Sequence, residues 1–262
     1  MHQVLRKFLA DRGTHLAAMI AYFALLSFVP LLFLALSLVG LTGEPTESSY
    51  LVEQLHRAFP KSSVDRLLDV VTEIREQAKE LSIVGGIGLI WAALGFFSVL
   101  ESAFNIVYGL PNRPFFRGKT LALLIAVGSL VVLFVSLVIG SVGVELAKRA
   151  GVAGGVLSYV YALVISTLLI LALVWGLYHR LTNTALTWRE TFPGAVFAAV
   201  LLQASFQVLP VFVRLSGELV ALQAYGGLVL LLVWLFLMAN VLVLGAELNW
   251  WLGRGRPPVQ AA

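Results

Sequence analysis

The sequence has 262 residues, of which 60% are hydrophobic and only 12% are charged. Soluble domains carry about 25% charged residues, so this composition excludes an ordinary soluble protein and predicts a helical membrane protein. The absence of cysteine excludes disulfides and thiolate metal sites, and the net charge of +4 comes from basic residues scattered between apolar runs. Because that scatter forms no basic patch, we expect no nucleic-acid partner.

The amino-terminal segment is expected to lie on the membrane surface. Within residues 1–15, Arg6, Lys7 and Arg12 are interspersed with apolar side chains, which is typical of a basic amphipathic surface helix. The first predicted span follows over about residues 16–39. Its apolar run is longer than the hydrophobic region of a signal peptide, so we expect a retained membrane helix.

Residues 41–81 form a long polar stretch with eight acidic and five basic residues. Its apolar residues recur at helical spacing, and Pro60 divides it into two amphipathic helices. Neither helix is apolar enough to span a bilayer, so we expect both outside the membrane. An amphipathic pair has to cover its apolar faces, which makes residues 47–81 a candidate surface for a homo-oligomer.

Five further apolar runs predict five more spans. They cover about residues 83–108, 121–144, 156–178 and 191–213, and a run from Leu219 to Ala246 that has no charged residue. As a helix the last run would be about 42 Å long, which exceeds the ~30 Å hydrocarbon core, so its span is expected to begin near Tyr225. The predicted fold is an all-α, six-span membrane protein forming a single domain over residues 1–262.

The distribution of lysine and arginine predicts the orientation. Ten of these residues lie in the short segments on one side of the spans, and three lie on the other side apart from the five in residues 41–81. Short basic loops stay in the cytoplasm. We therefore expect both termini in the cytoplasm of a bacterium, the protein in the inner membrane, and residues 41–81 outside.

Several polar residues interrupt the predicted spans. At 1.5 Å per residue, Tyr22, Glu101, Asn105 and Glu247 lie at a common depth in the inner leaflet, with Asn240 near the midplane. The candidate substrate-binding residues are Tyr22, Ser27, Glu101, Asn105, Asn240, Glu247 and Asn249. Such residues either bond neighbouring helices together or line a polar cavity, and the sequence leaves both readings open.

Basic residues border this level in the predicted cytoplasmic loops. They are Arg113, Arg117, Arg180 and Arg189. Guanidinium groups at a membrane surface attract anionic headgroups. We therefore predict that these four residues form a basic rim facing lipid headgroups.

Four stretches together resemble a known family. They are Ala17 to Pro30 (AAMIAYFALLSFVP), Asn105 to Arg117, Trp188-Arg189 with Pro193-Gly194-Ala195, and Tyr225-Gly226 through Leu244-Gly245-Ala246-Glu247-Leu248-Asn249. In this order they resemble the YihY/BrkB family of bacterial inner-membrane proteins, over about residues 6–251. Met19 and Ile20 depart from the alanine-rich run that the family more often has before the tyrosine. The resemblance implies a six-span protein whose relatives have been labelled ribonuclease BN or linked with virulence or envelope lipid handling.

An enzymatic activity is not expected. The four histidines lack metal-ligand spacing, and Asp11, Asp65 and Asp69 lie outside the predicted spans. No nucleophile–base pair is visible. We therefore predict no catalytic residue, metal or cofactor, and reject the ribonuclease reading.

Three functions remain. The shared polar depth and the basic rim favour a transporter or flippase-like protein that moves a membrane lipid or another amphiphile through an inner-leaflet cavity. The alternative is a non-transporting scaffold that docks a partner on residues 47–81. An ion or proton channel is less favoured, because the sequence has no ring motif for a pore.

Overall fold

The computed structural model describes residues 2–41, 65, 69, 82–129, 131–132, 156–217 and 227–253. All regular structure in these residues is helical. The helices are α1 (His2–Ala10), α2 (Gly13–Leu41), α3 (Ser82–Tyr108), α4 (115–129 and 131–132), α5 (Val156–Leu181), α6 (Trp188–Gly217) and α7 (Gly227–Leu252).

The long helices lie where the sequence predicts spans. Helices α2, α3, α5, α6 and α7 have between 26 and 30 residues, which gives lengths of about 39–45 Å and exceeds a ~30 Å hydrocarbon core. Among the described residues, Leu163–Leu181, Trp188–Val208 and Val229–Leu252 are long and apolar enough to cross a membrane. The prediction of a helical membrane protein is confirmed, whereas six spans and their orientation stay predictions.

Some predicted features lie outside the described residues. Of residues 41–81, only Leu41, Asp65 and Asp69 are described, and both aspartates are helical and exposed. The candidate oligomer surface at 47–81 is therefore untested. The predicted third span is described only over its first part, as α4.

Helix α7 lies at the centre of the described bundle. It contacts α1, α2, α3 and α6, while α3 also packs on α2 and α5 packs on α6. Alanines in the core allow this, including the fully buried Ala103 on α3, Ala198 on α6 and Ala246 on α7. Lipid provides little hydrophobic drive between spans, so small residues that permit close van der Waals packing stabilise such contacts.

Helices α6 and α7 approach closely at two glycines, Gly194 and Gly245. A Cβ atom on Gly245 would lie 2.9 Å from the carbonyl oxygen of Gly194 and would collide with the Tyr178 hydroxyl. That hydroxyl donates a hydrogen bond of 2.7 Å to the carbonyl oxygen of Leu242. The ring of Tyr178 packs edge-on against Phe104 with centroids 5.1 Å apart. Gly245 therefore lets α5, α6 and α7 meet.

We predict that Gly245→Ala destabilises the protein by about 1–3 kcal/mol, because the added methyl group overpacks this contact. The matched control is Gly176→Ala on α5, where a Cβ atom meets no other heavy atom within 4 Å. That control should be neutral or slightly stabilising, since alanine favours a helix over glycine. Thermal unfolding in detergent micelles measures both variants, and equal midpoints for the two would contradict the close approach.

Candidate functional site

Buried polar side chains gather at one end of the bundle, which we call the polar end. It is formed by the carboxyl ends of α3, α5 and α7 with α1 and the amino end of α6. Its buried polar residues are Glu101, Asn105, Thr182, Thr191, Glu247 and Asn249. Polar groups at low dielectric are costly unless they are partnered, so each partner matters.

Glu101 on α3 pairs with an arginine from the loop after that helix. Arg113 Nη1 lies 3.0 Å from Glu101 Oε1, and the Glu101 side chain is only 6% exposed. Arg113 also donates to the carbonyl oxygens of Leu181 (2.6 Å) and Thr182 (3.0 Å) at the end of α5. A cation at a helix carboxyl end complements the helix dipole. This guanidinium therefore joins α3 to the end of α5.

Asn105, one turn further along α3, holds two loops. Its side-chain nitrogen donates to Asn112 Oδ1 at 3.1 Å, and its Oδ1 accepts a 2.7 Å bond from the backbone N–H of Asn183. Helix α3 then ends in a Schellman turn, in which the Leu110 N–H bonds the Asn105 carbonyl oxygen and Gly109 takes a positive φ of 67°. Asn105 thus fixes the loops at the ends of α3 and α5.

Glu247 on α7 pairs with a lysine from α1. The carboxylate is fully buried, and its Oε2 lies 3.1 Å from Lys7 Nζ. Lys7 also donates a 2.8 Å bond to the carbonyl oxygen of Val107, pairs with Asp11, and lies 4.2 Å from the centre of the Trp250 ring. One ammonium group therefore connects α1, α3 and α7.

Asn249 bonds α7 to the amino end of α6. Its Oδ1 accepts a 2.6 Å bond from the Gly194 N–H, and its Nδ2 donates to the Thr191 carbonyl oxygen at 3.1 Å. Helix α6 begins with a capping box, in which Glu190 Oε2 accepts bonds from the backbone and hydroxyl groups of Thr187. This end of α6 is therefore held by its own cap and by α7.

The remaining predicted residues are Tyr22, Ser27 and Asn240, and their surroundings differ from one another. Tyr22 is 55% exposed on α2, whereas Ser27 is fully buried there. Asn240 donates to the carbonyl oxygen of Phe236 on its own helix. Glu101 and Glu247 are each paired with a different cation. A role of the seven candidate residues in binding substrate stays a prediction.

The four arginines of the predicted basic rim also differ in their exposure. Arg113 is turned into the bundle, whereas Arg117, Arg180 and Arg189 are exposed. Arg189 lines a cavity of about 410 Å³ at the polar end, together with Thr187, Glu190, Pro193, Leu252 and Gly253. This cavity presents a guanidinium and a carboxylate beside apolar side chains. The cavity lies between α6 and the end of α7.

Sequence reasoning missed the partners of the carboxylates. The sequence pattern places Lys7 on the surface helix and indicates no role at the site for Asp11 or Trp250. An available signal was the spacing on α1, because Lys7 and Asp11 are four residues apart and face the same way as the buried Val4 and Phe8. Among the described residues, no group of three or more histidine, aspartate or glutamate side chains is arranged to hold a metal ion.

Comparison with known proteins gives several relatives. A UPF0761 membrane protein of Azotobacter vinelandii is 31% identical over 257 residues, covering 92% of this chain and 60% of that protein. A UPF0761 membrane protein of Neisseria meningitidis serogroup B is 25% identical over 95% of this chain and 63% of its own length. A ribonuclease-like protein of Bacillus subtilis, YfkH, is 24% identical over 95% of this chain and 93% of its own length.

This chain therefore spans about 60% of the length of the UPF0761 relatives and nearly all of the Bacillus subtilis protein. No solved structure matches it. A family model described as Virulence factor BrkB matches residues 4–261. The resemblance seen in the sequence is confirmed, and the chain belongs to this BrkB family of membrane proteins.

Proposed function

We propose that this protein is a six-span transporter of the bacterial inner membrane that moves a lipid or another amphiphile. In this proposal both termini are cytoplasmic, and the polar end faces the inner leaflet and the cytoplasm. Family membership and the apolar helices support the membrane setting. The polar end supports the transport step.

The observation that carries the proposal is the pair of buried carboxylates at the polar end. Glu101 and Glu247 lie on different helices, and each is neutralised by a cation from outside the apolar runs. Burying an ion pair costs several kcal/mol of desolvation for each ion, so it is weak evidence for a purely stabilising role. Ionisable residues inside membrane helices more often mark a pathway for substrate, ion or proton.

Separation of these two ion pairs is also a physical route by which the polar end opens to substrate. Lys7 belongs to α1 and Arg113 to the loop after α3, so neither cation is part of the helix that carries its carboxylate. Separation of α1 or the loop would expose a carboxylate to the inner-leaflet interface. The 410 Å³ cavity beside Arg189 and Glu190 would then receive an amphiphile headgroup next to that path.

The competing functions have less support. The scaffold alternative depends on residues 47–81, of which the structure describes only Asp65 and Asp69. Enzymatic activity, including that suggested by the ribonuclease-like name of the Bacillus subtilis relative, would need a reactive constellation. The Thr187 hydroxyl donates to the Glu190 carboxylate at the polar end, but this contact caps α6, and we propose that the chain is not an enzyme.

We predict that Glu101→Gln and Glu247→Gln each slow amphiphile movement at least tenfold, because each change removes the carboxylate charge that opening would expose along the substrate path. Proteoliposomes containing fluorescent short-chain phospholipids, with dithionite quenching of the outer leaflet, measure this rate. The matched control is Asp69→Asn, which neutralises an exposed carboxylate that is not among the buried residues of the polar end. Wild-type rates in both glutamine variants, with folding verified by gel filtration, would refute transport through this site.

Single cysteines introduced into this cysteine-free chain test the proposed orientation. A membrane-impermeant maleimide added to intact spheroplasts should label Asp69→Cys and leave Phe116→Cys unlabelled, because position 116 is expected to face the cytoplasm. Permeabilised cells provide the control, in which both positions should react. Labelling of position 116 alone in intact spheroplasts would reverse the proposed topology.

A further inference from the structure

The Lys7 ammonium group lies in a site with the chemistry of an ammonium receptor. Nζ is 2.8 Å from the carbonyl oxygen of Val107, 3.1 Å from Glu247 Oε2 and 4.2 Å from the centre of the Trp250 ring, and it pairs with Asp11. An ammonium has three N–H donors and no acceptor. Asp11 and the Val107 carbonyl oxygen accept two of these donors, Glu247 supplies opposite charge as an ion pair, and the ring face attracts the ammonium.

Most of this receptor does not belong to the helix that carries Lys7. The Val107 carbonyl is at the end of α3, and Glu247 and Trp250 are one turn apart on α7. We call these three groups the ammonium site. The packing of α3 against α7 brings these three groups together.

Glu247 also has unused hydrogen-bonding capacity. The side chain is fully buried, and among the described residues Oε1 has no hydrogen-bond partner. A buried carboxylate oxygen without a donor costs free energy comparable to a lost hydrogen bond. The lysine, which reaches the carboxylate from one side only, therefore leaves part of the site unsatisfied.

A small apolar cavity lies between α1, α6 and α7. It has a volume of about 40 Å³ and is lined by Val4 and Leu5 of α1, Phe197 of α6, and Leu244 and Leu248 of α7. These side chains provide an apolar surface on the two helices that carry Lys7 and Glu247.

We propose that the ammonium site binds the primary ammonium headgroup of an amphiphile, and that Lys7 is an intramolecular occupant that this headgroup displaces. The inference rests on the proposed transport function and names its substrate class. Lys7 then has the role of an autoinhibitory group. Its departure would remove the ion pair with Glu247 on α7 and the hydrogen bond to Val107 on α3 that help to hold α1 in place.

Chemical rescue tests the site directly in the full-length protein. Lys7→Ala should lower the thermal midpoint in detergent, and propylammonium should restore it because the small amine refills the vacated site. Tetramethylammonium has the same charge but no N–H donor, so it should restore little. In Lys7→Ala/Glu247→Gln the affinity for propylammonium should fall at least tenfold, since its anionic partner is gone.

Lys119→Ala is the matched control, because Lys119 is also partly buried and donates a hydrogen bond of 3.0 Å, to Ser98. Propylammonium should not restore its midpoint. Equal rescue by both cations, equal rescue with and without Glu247, or no rescue of Lys7→Ala would overturn the ammonium site.

A second measurement covers the case in which Lys7→Ala does not fold. The wild-type protein is placed in nanodiscs of phosphatidylethanolamine or of phosphatidylcholine, and lysine methylation by formaldehyde and borohydride is quantified by mass spectrometry. Because the primary amine of phosphatidylethanolamine also consumes formaldehyde, the reaction is kept to low conversion and Lys7 methylation is expressed relative to Lys119 in the same sample. This ratio should be several-fold higher in phosphatidylethanolamine, whose primary ammonium competes for the site, than in phosphatidylcholine. Equal reactivity of Lys7 in the two lipids would reject displacement.

These outcomes are separable from the transport proposal. Rescue that depends on Glu247 in a protein that moves no lipid would reject transport and leave the ammonium site standing. Transport that is indifferent to a primary ammonium headgroup, together with absent rescue, would reject the site alone.

Discussion

The fold of the polar end depends on one constraint, which is that a carboxylate buried between membrane helices needs a cation. Glu247 is fully buried on the central helix, and Lys7 reaches it from an amphipathic helix about 240 residues earlier. The same requirement at Glu101 brings Arg113 into the bundle, where it also satisfies the end of α5. Two charge pairs therefore hold α1 and the loop after α3 against the bundle.

Close packing positions these pairs. Gly194 and Gly245 bring α6 against α7, and the amide of Asn249 bonds the first turns of α6 from the same face of α7. Because α7 also contacts α1, α2 and α3, a displacement of α7 would move Glu247 relative to both α1 and α3. A movement of α7 would therefore change both the Lys7–Glu247 pair and the glycine contact with α6. A transporter could use this link to couple substrate binding at the site to helix movement.

The sequence predicts the helices well because long apolar runs admit few alternatives, and α7 ends six residues after the uncharged run does. Helical rise also brought Glu101, Asn105 and Glu247 to a common level, and all three lie at the polar end of the structure. Their partners could not be predicted from rise alone. Lys7 and Arg113 reach them through long side chains from segments whose placement depends on tertiary packing, and Tyr22 faces outward because helix rotation is set by neighbours rather than by depth.

The central claim is that Lys7 and Glu247 are energetically coupled across α1 and α7. A double-mutant cycle with Lys7→Met, Glu247→Gln and the combined variant tests it most directly, with unfolding free energies measured in detergent micelles. Lys7→Met leaves the buried Glu247 carboxylate without its cation, whereas Glu247→Gln leaves Lys7 with Asp11 as its anionic partner. The predicted coupling energy is about 1–3 kcal/mol, and the double variant should be more stable than the two single losses imply. Additive losses within about 0.5 kcal/mol would contradict the claim, because independent sites behave in that way.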